Sequence, residues 1–145
     1  MRFVLDNDKL IQERRILFKN KDVRFYEAEF EPVLMYSENG WDEERYFRES
    51  EKIHINIYIN GSKVSDFDFR PMYVEVGGRK IFQRLKLNYP VPEADEAEFF
   101  IQVILKEPLE RETDRLEINI HITPYGPIGR KGQEAFKEIK KALNQ

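Results

Sequence analysis

The chain has 145 residues and a mass of 17.5 kDa, with 41% hydrophobic, 35% charged and 13% aromatic residues; this excludes disordered and fibrous chains and fits one domain over residues 1–145. Twenty-four Lys and Arg against 27 Asp and Glu leave a net charge of -3, so no global positive field captures a polyanion, and nucleic acid is disfavoured as the main partner. Zero cysteines exclude disulfides, thiolate metal sites and a thiol nucleophile and fit a reducing, cytoplasmic setting, while no apolar run reaches the length of a spanning helix, so neither an export signal nor a membrane anchor is expected.

In chain order, Asp6 and Asp8 stand two apart near the N-terminus and would share a face of an extended segment. Lys9 to Asn20 favours a strand, because Leu10, Ile16 and Phe18 line one side of it, whereas a helix would leave its middle positions without apolar residues. Val23 to Phe30 alternates in two opposite phases, which predicts a strand with a bulge near Phe25, ended by Pro32. Ser37 to Lys52 is a charged loop that also carries Trp41, Tyr46 and Phe47.

The clearest strand is Ile53 to Ile59, where four isoleucines alternate with His54, Asn56 and Tyr58. Asn60-Gly61 supplies the two left-handed positions of a tight hairpin turn, with Lys63 to Phe69 returning. Gly77-Gly78 turns a second hairpin between Met72–Val76 and a return strand drawn from Arg79 to Tyr89. Phe99 to Lys106 and Leu116 to Ile122 are further strands, separated by the charged loops Pro92–Glu98 and Glu107–Asp114. A Gly-rich tether, 126–132, leads to an amphipathic helix over about 133–143, with Phe136, Ile139 and Leu143 on its apolar stripe. Short strands at about ten-residue spacing predict a mainly β fold, an antiparallel β-sandwich or Greek-key barrel of roughly seven to nine strands closed by a C-terminal helix.

Two strands read as mirror images. Antiparallel pairing would set His54 opposite His121, Asn56 opposite Asn119 and Tyr58 opposite Glu117, with isoleucines on the other face. That register predicts neighbouring strands and a polar face able to bind a small ligand, or a divalent metal between the two imidazoles; the plainer alternatives are a face covered by another element or subunit and a solvated face. Two histidines fall short of the usual three or four ligands, so no metal and no cofactor is assigned.

Gly129, Arg130 and Lys131 precede the helix and could meet an anion such as phosphate or RNA at its positive end, although the Lys-Ser/Thr ending of a nucleotide-binding loop is missing. Asp66 and Asp68 share a strand face, and Arg79, Lys80, Arg84 and Lys86 form a basic run on one hairpin that could touch phosphate or RNA, although the acidic loops beside it are the setting of a salt-bridge network. No nucleophile elbow and no catalytic residue set is present. Abundant Glu, Lys, Arg, Ile and aromatic residues resemble the composition of heat-adapted proteins. The expectation is a non-enzymatic module that works by protein contact or self-assembly. Its contact residues would be Trp41, Tyr46, Phe47, Phe136, Ile139 and Leu143, with the His54 face in support. A small-ligand binder or minor enzyme using the His54/His121 face is the alternative.

Overall fold

A computed structural model describes residues 1–36, 48–70, 72–126 and 142. Trp41, Tyr46 and Phe47 of the charged loop, and Gly129, Arg130, Lys131, Phe136, Ile139 and Leu143 of the tether and expected helix, lie outside the described residues. The described strands are β1 (Arg2–Asp6), β2 (Ile11–Lys19), β3 (Phe25–Tyr36), β4 (Ile53–Ile59), β5 (Ser62–Asp68), β6 (Met72–Val76), β7 (Arg79–Gln83), β8 (Leu85–Pro90), β9 (Glu96–Leu105) and β10 (Arg115–Tyr125).

Two four-stranded antiparallel sheets result, A in the order β1-β10-β3-β8 and B in the order β2-β9-β4-β5, with β6 and β7 forming a separate two-stranded hairpin. Apart from the β4–β5 hairpin, each step between the strands of A and B crosses from one sheet to the other. Two Greek keys wound in this way make a jelly roll, with β6–β7 inserted between its fifth and sixth strands. Among the described residues no helix is long and apolar enough to cross a membrane.

The core lies between A and B. Period-two alternation turns Ile53, Ile55, Ile57 and Ile59 of β4 and Ala97, Phe99, Ile101, Val103 and Leu105 of β9 inward, to meet Phe3, Leu5, Tyr26, Phe30, Leu116, Ile118 and Ile120 from sheet A. Phe99 is its aromatic hub, with Tyr26, Phe18 and Tyr89 at ring distances of 5.0, 5.8 and 6.4 Å. Gln12 is the polar exception from β2; its Oε1 accepts the Val4 amide of edge strand β1 and so ties the rims of the two sheets together.

The expected sandwich and both glycine turns are present: Asn60 and Gly61 have φ of 50° and 82°, and Gly77 and Gly78 of 59° and 79°. Several expectations need correction. Arg2–Asp6 is a strand, and its Phe3 and Leu5 are fully buried, although its acidic end hides the pattern. Asp6 caps the turn that follows, its Oδ1 accepting the amides of Asp8 and Lys9 at 2.9 and 2.8 Å.

Strand β3 does not stop at Pro32. It continues to Tyr36, and its irregularity against β10 lies beside Pro32, where the register skips Val33, rather than near Phe25. Pairing with β8 ends at Phe30, so the donor that Pro32 lacks has no ladder partner to lose on that side. Arg79–Tyr89 is two strands, because β7 stays with β6 while β8 joins sheet A.

Phe99→Ala removes a ring with no exposed surface and three aromatic neighbours, so it is expected to lower unfolding stability by about 3–5 kcal/mol in urea denaturation. Val74→Ala on the exposed hairpin should change it by less than about 0.5 kcal/mol. Equal effects would contradict the separation of hairpin and core.

Candidate functional site

The predicted pairing of His54 with His121 does not occur. Strand β4 lies in sheet B between β9 and β5, and β10 lies in sheet A between β1 and β3. His54 stands opposite Asp68 and Ile104; His121 stands opposite Glu29; Asn119 lies between Arg2 and Glu31. Tyr58 pairs with Phe100 and Lys63, and Glu117 pairs with Val4 and Leu34 and is ion-paired to Arg2. The two segments look alike because each is a central strand with one buried isoleucine face. That demand is met across the core, where Ile55 and Ile57 face the layer of Ile118 and Ile120, rather than side by side. His54, Asn56 and Tyr58 therefore occupy the outer face of sheet B, and Glu117, Asn119 and His121 that of sheet A.

On the outer face of B the register stacks residues into rows. Ile11, Ile104, His54 and Asp68 form one; Glu13, Gln102, Asn56 and Asp66 the next; Arg15, Phe100, Tyr58 and Lys63 the third. His54 is clamped between the two β5 carboxylates. Its Nδ1 lies 2.7 Å from Asp68 Oδ1, and its Nε2 bonds Asp66 Oδ1. Lys106 Nζ sits 2.9 Å from Asp68, and Lys63 Nζ donates to the other Asp66 oxygen at 3.1 Å.

The hydrogen bond to Asp68 raises the His54 pKa, with Asp66 adding to it and partial burial opposing it. Lys63 and then His54 hold the Asp66 carboxyl below its ordinary range; His54 and then Lys106 do the same for Asp68. Both ring nitrogens face carboxylates, so the protonated imidazolium can donate to each of them, and in that form neither nitrogen has a lone pair for a metal or a substrate proton. The cluster acts as a staple between β4 and β5, beside the irregularity that leaves Val64 unpaired.

The rest of the face is internally satisfied, with one exception. Asn56 Nδ2 donates to Gln102 Oε1 at 3.1 Å, and Gln102 Nε2 to Glu13 at 3.3 Å, while the buried Asn56 Oδ1 has no donor. Arg15 lies 4.3 Å above the Phe100 ring and bonds Glu98 at 2.7 Å, so the aromatic pair Tyr58–Phe100 is roofed by a cation.

The β6–β7 hairpin is different in kind. Among the described residues it joins the ladder of neither large sheet. Val74 pairs with Ile81, so Met72, Val74, Val76 and Ile81 share one face, and they are 67%, 47%, 58% and 49% exposed. At the hairpin's foot a groove has Phe69, Met72 and Leu85 as its apolar lining and Arg70, Arg84 and Lys86 as its rim. Of the basic run read from the sequence, Arg84 is networked, donating to Glu29 at 2.7 Å and lying 3.4 Å from Glu31. Arg70 and Lys86 make no ion pair among the described residues. The sequence points to this hairpin as a candidate phosphate or RNA contact through its basic run and not as an apolar surface; the signal for the latter is Tyr73 among Met72, Val74 and Val76, apolar residues on both faces of one short strand.

His54 gives a signed pH dependence. Its folded pKa is raised, so the staple contributes fully below the ordinary imidazole value of about 6.5 and is lost as pH climbs through the raised folded value. The depressed carboxyls act at the other end, their contribution present above about 4 and lost as pH falls through their folded values. The expected result is a His54 NMR midpoint above about 6.5 that drops in Asp68→Asn, with Asp68→Asn flattening the stability change between about pH 6 and 8. An unchanged midpoint in that variant would remove the staple.

No family model matches the chain, and no curated protein matches it. Among solved structures it is similar to a family 35 carbohydrate binding module from an environmental isolate, at 12% identity and a TM-score of 0.36, over 81% of this chain and 72% of that one. At that score the likeness adds nothing to the strand order, which defines the jelly roll by itself.

Proposed function

We propose that this jelly roll is a non-enzymatic contact module that binds protein through its β6–β7 hairpin. The observation that carries the reading is the hairpin's unburied apolar face of Met72, Val74, Val76 and Ile81. A lone two-stranded hairpin is marginal in water, and an apolar patch on such an element gains only when another surface covers it. Covering one of these side chains is worth about 1.5–3 kcal/mol, enough for a few to hold a complex.

The outer face of sheet B supports this reading by contrast. Its imidazole is occupied on both sides and its ring pair is roofed by Arg15, so it offers stiffness rather than a reactive group. The hairpin joins the contact surfaces expected from Trp41, Phe47 and the C-terminal stripe of Phe136, Ile139 and Leu143.

The test replaces Val74, Val76 and Ile81 together by threonine, which keeps β propensity and removes the apolar face. The variant should unfold within about 0.5 kcal/mol of the parent protein and lose at least about tenfold in association, read by sedimentation velocity for self-association and by quantitative mass spectrometry of retained chains for a foreign partner. A variant that associates as the parent does, or a parent that is monomeric and retains nothing, would end the proposal.

A further inference from the structure

The two ends of the sandwich carry charged side chains of opposite sign that make no ion pair among the described residues. At the end where β5 stops and β8 begins, the hairpin-foot groove has Arg70 and Lys86 on its rim without ion pairs among the described residues, and Phe69 and Leu85 in its lining. Strand β8 then runs six residues, roughly 20 Å, to the opposite end. There the β8–β9 connection and the start of β9 present Glu93, Asp95 and Glu96, all exposed and without ion pairs among the described residues.

This acidic loop is held in shape by its backbone. Asn20 donates its amide to Asp95 O and its side chain to Ala94 O, both at 2.9 Å, and the Asn60 side chain donates to Glu96 O at 3.0 Å. Lys19 and Lys21 border the same loop, Lys19 standing opposite Glu96 in the β2–β9 ladder, and among the described residues neither makes an ion pair with its three carboxylates. A fixed anionic knob and a cationic groove with an apolar lining therefore sit at opposite poles of one molecule. A molecule cannot bring its own knob into its own groove, whereas a second copy can do so without change of fold.

We infer that the acidic β8–β9 loop of one molecule seats in the hairpin-foot groove of the next, so that copies of this chain join head to tail. The inference rests on the contact reading above and adds the identity of the partner and the direction of the contact. Arg70 and Lys86 meet Glu93, Asp95 and Glu96 as charge-assisted pairs, and the hairpin's apolar face beside the groove lies against the incoming pole. The interface is heterologous, so each bound copy leaves one groove and one loop open, and assembly continues until the ends meet or the supply runs out.

The experiment is sedimentation velocity of the full chain over a concentration series, with two neutralised variants. Arg70→Ser with Lys86→Ser disables the groove; Glu93→Gln with Asp95→Asn and Glu96→Gln disables the loop. The parent is expected to grow in size with concentration at about 50 mM salt and to fall toward monomer at about 500 mM. Each variant alone should associate at least about tenfold more weakly, with an unchanged unfolding midpoint. Mixed, the intact loop of one variant meets the intact groove of the other, and growth should stop at a one-to-one dimer.

A parent that is monomeric at every concentration overturns the inference, as does a loop variant that associates like the parent, because a symmetric hairpin-to-hairpin dimer would not use the loop. If either result accompanies a complex that the threonine hairpin variant loses, the contact reading stands and the head-to-tail arrangement alone fails. If no complex depends on the hairpin, both fail.

Discussion

The fold is organised by two apolar faces that can be buried only by each other. Phe99, Ile101 and Val103 on β9 and Ile118 and Ile120 on β10 belong to central strands of different sheets, and each row would be left in water if the other layer were absent. Satisfying both obliges the chain to cross repeatedly from A to B, and that crossing collects the connections at two poles. The segments at those poles are free of the core's packing demand, which is why charge and unburied apolar surface gather there.

How much of this could be read from residues depended on the range of the interaction. Asn60-Gly61 and Gly77-Gly78 were legible because a two-residue turn is decided by the φ its own residues tolerate. The isoleucine alternation of β4 was legible because burial of one face is written into a single strand. Long-range pairing partners were not, since the segment around Asn119 answers the same one-face requirement as that around Asn56, and a shared requirement imitates complementarity. Strand β1 was hidden by its length, as five residues ending in Asp6 give too few periods to stand out.

The site divides along the same line. Asp66 and Asp68 were placed correctly on one face by spacing alone, but their partner came from the neighbouring strand, so the His54 staple required the register of β4 against β5. The staple shows how a charged group serves a sheet without a reaction to perform. Two cations and the imidazole share two carboxylates, and the ladder is braced where Val64 breaks it. The exposure of the hairpin follows from topology rather than from composition, which is why a residue count cannot reveal it.

The outermost pairing of sheet A has a consequence for biosynthesis. The Met1 amine donates to the Ile120 carbonyl at 2.9 Å across 119 positions of sequence, and among the described residues β1 forms its ladder with β10 alone. A ribosome releases the first strand long before its only ladder partner exists, and central strand β9 likewise leaves the tunnel after both of its neighbours, β2 and β4. Sheet A cannot be completed before β10 is made, nor sheet B before β9. Until those strands arrive Phe3, Leu5 and the isoleucines of β4 lack much of the layer that buries them in the finished core, so the ladders join segments far apart in sequence and the contact order is high.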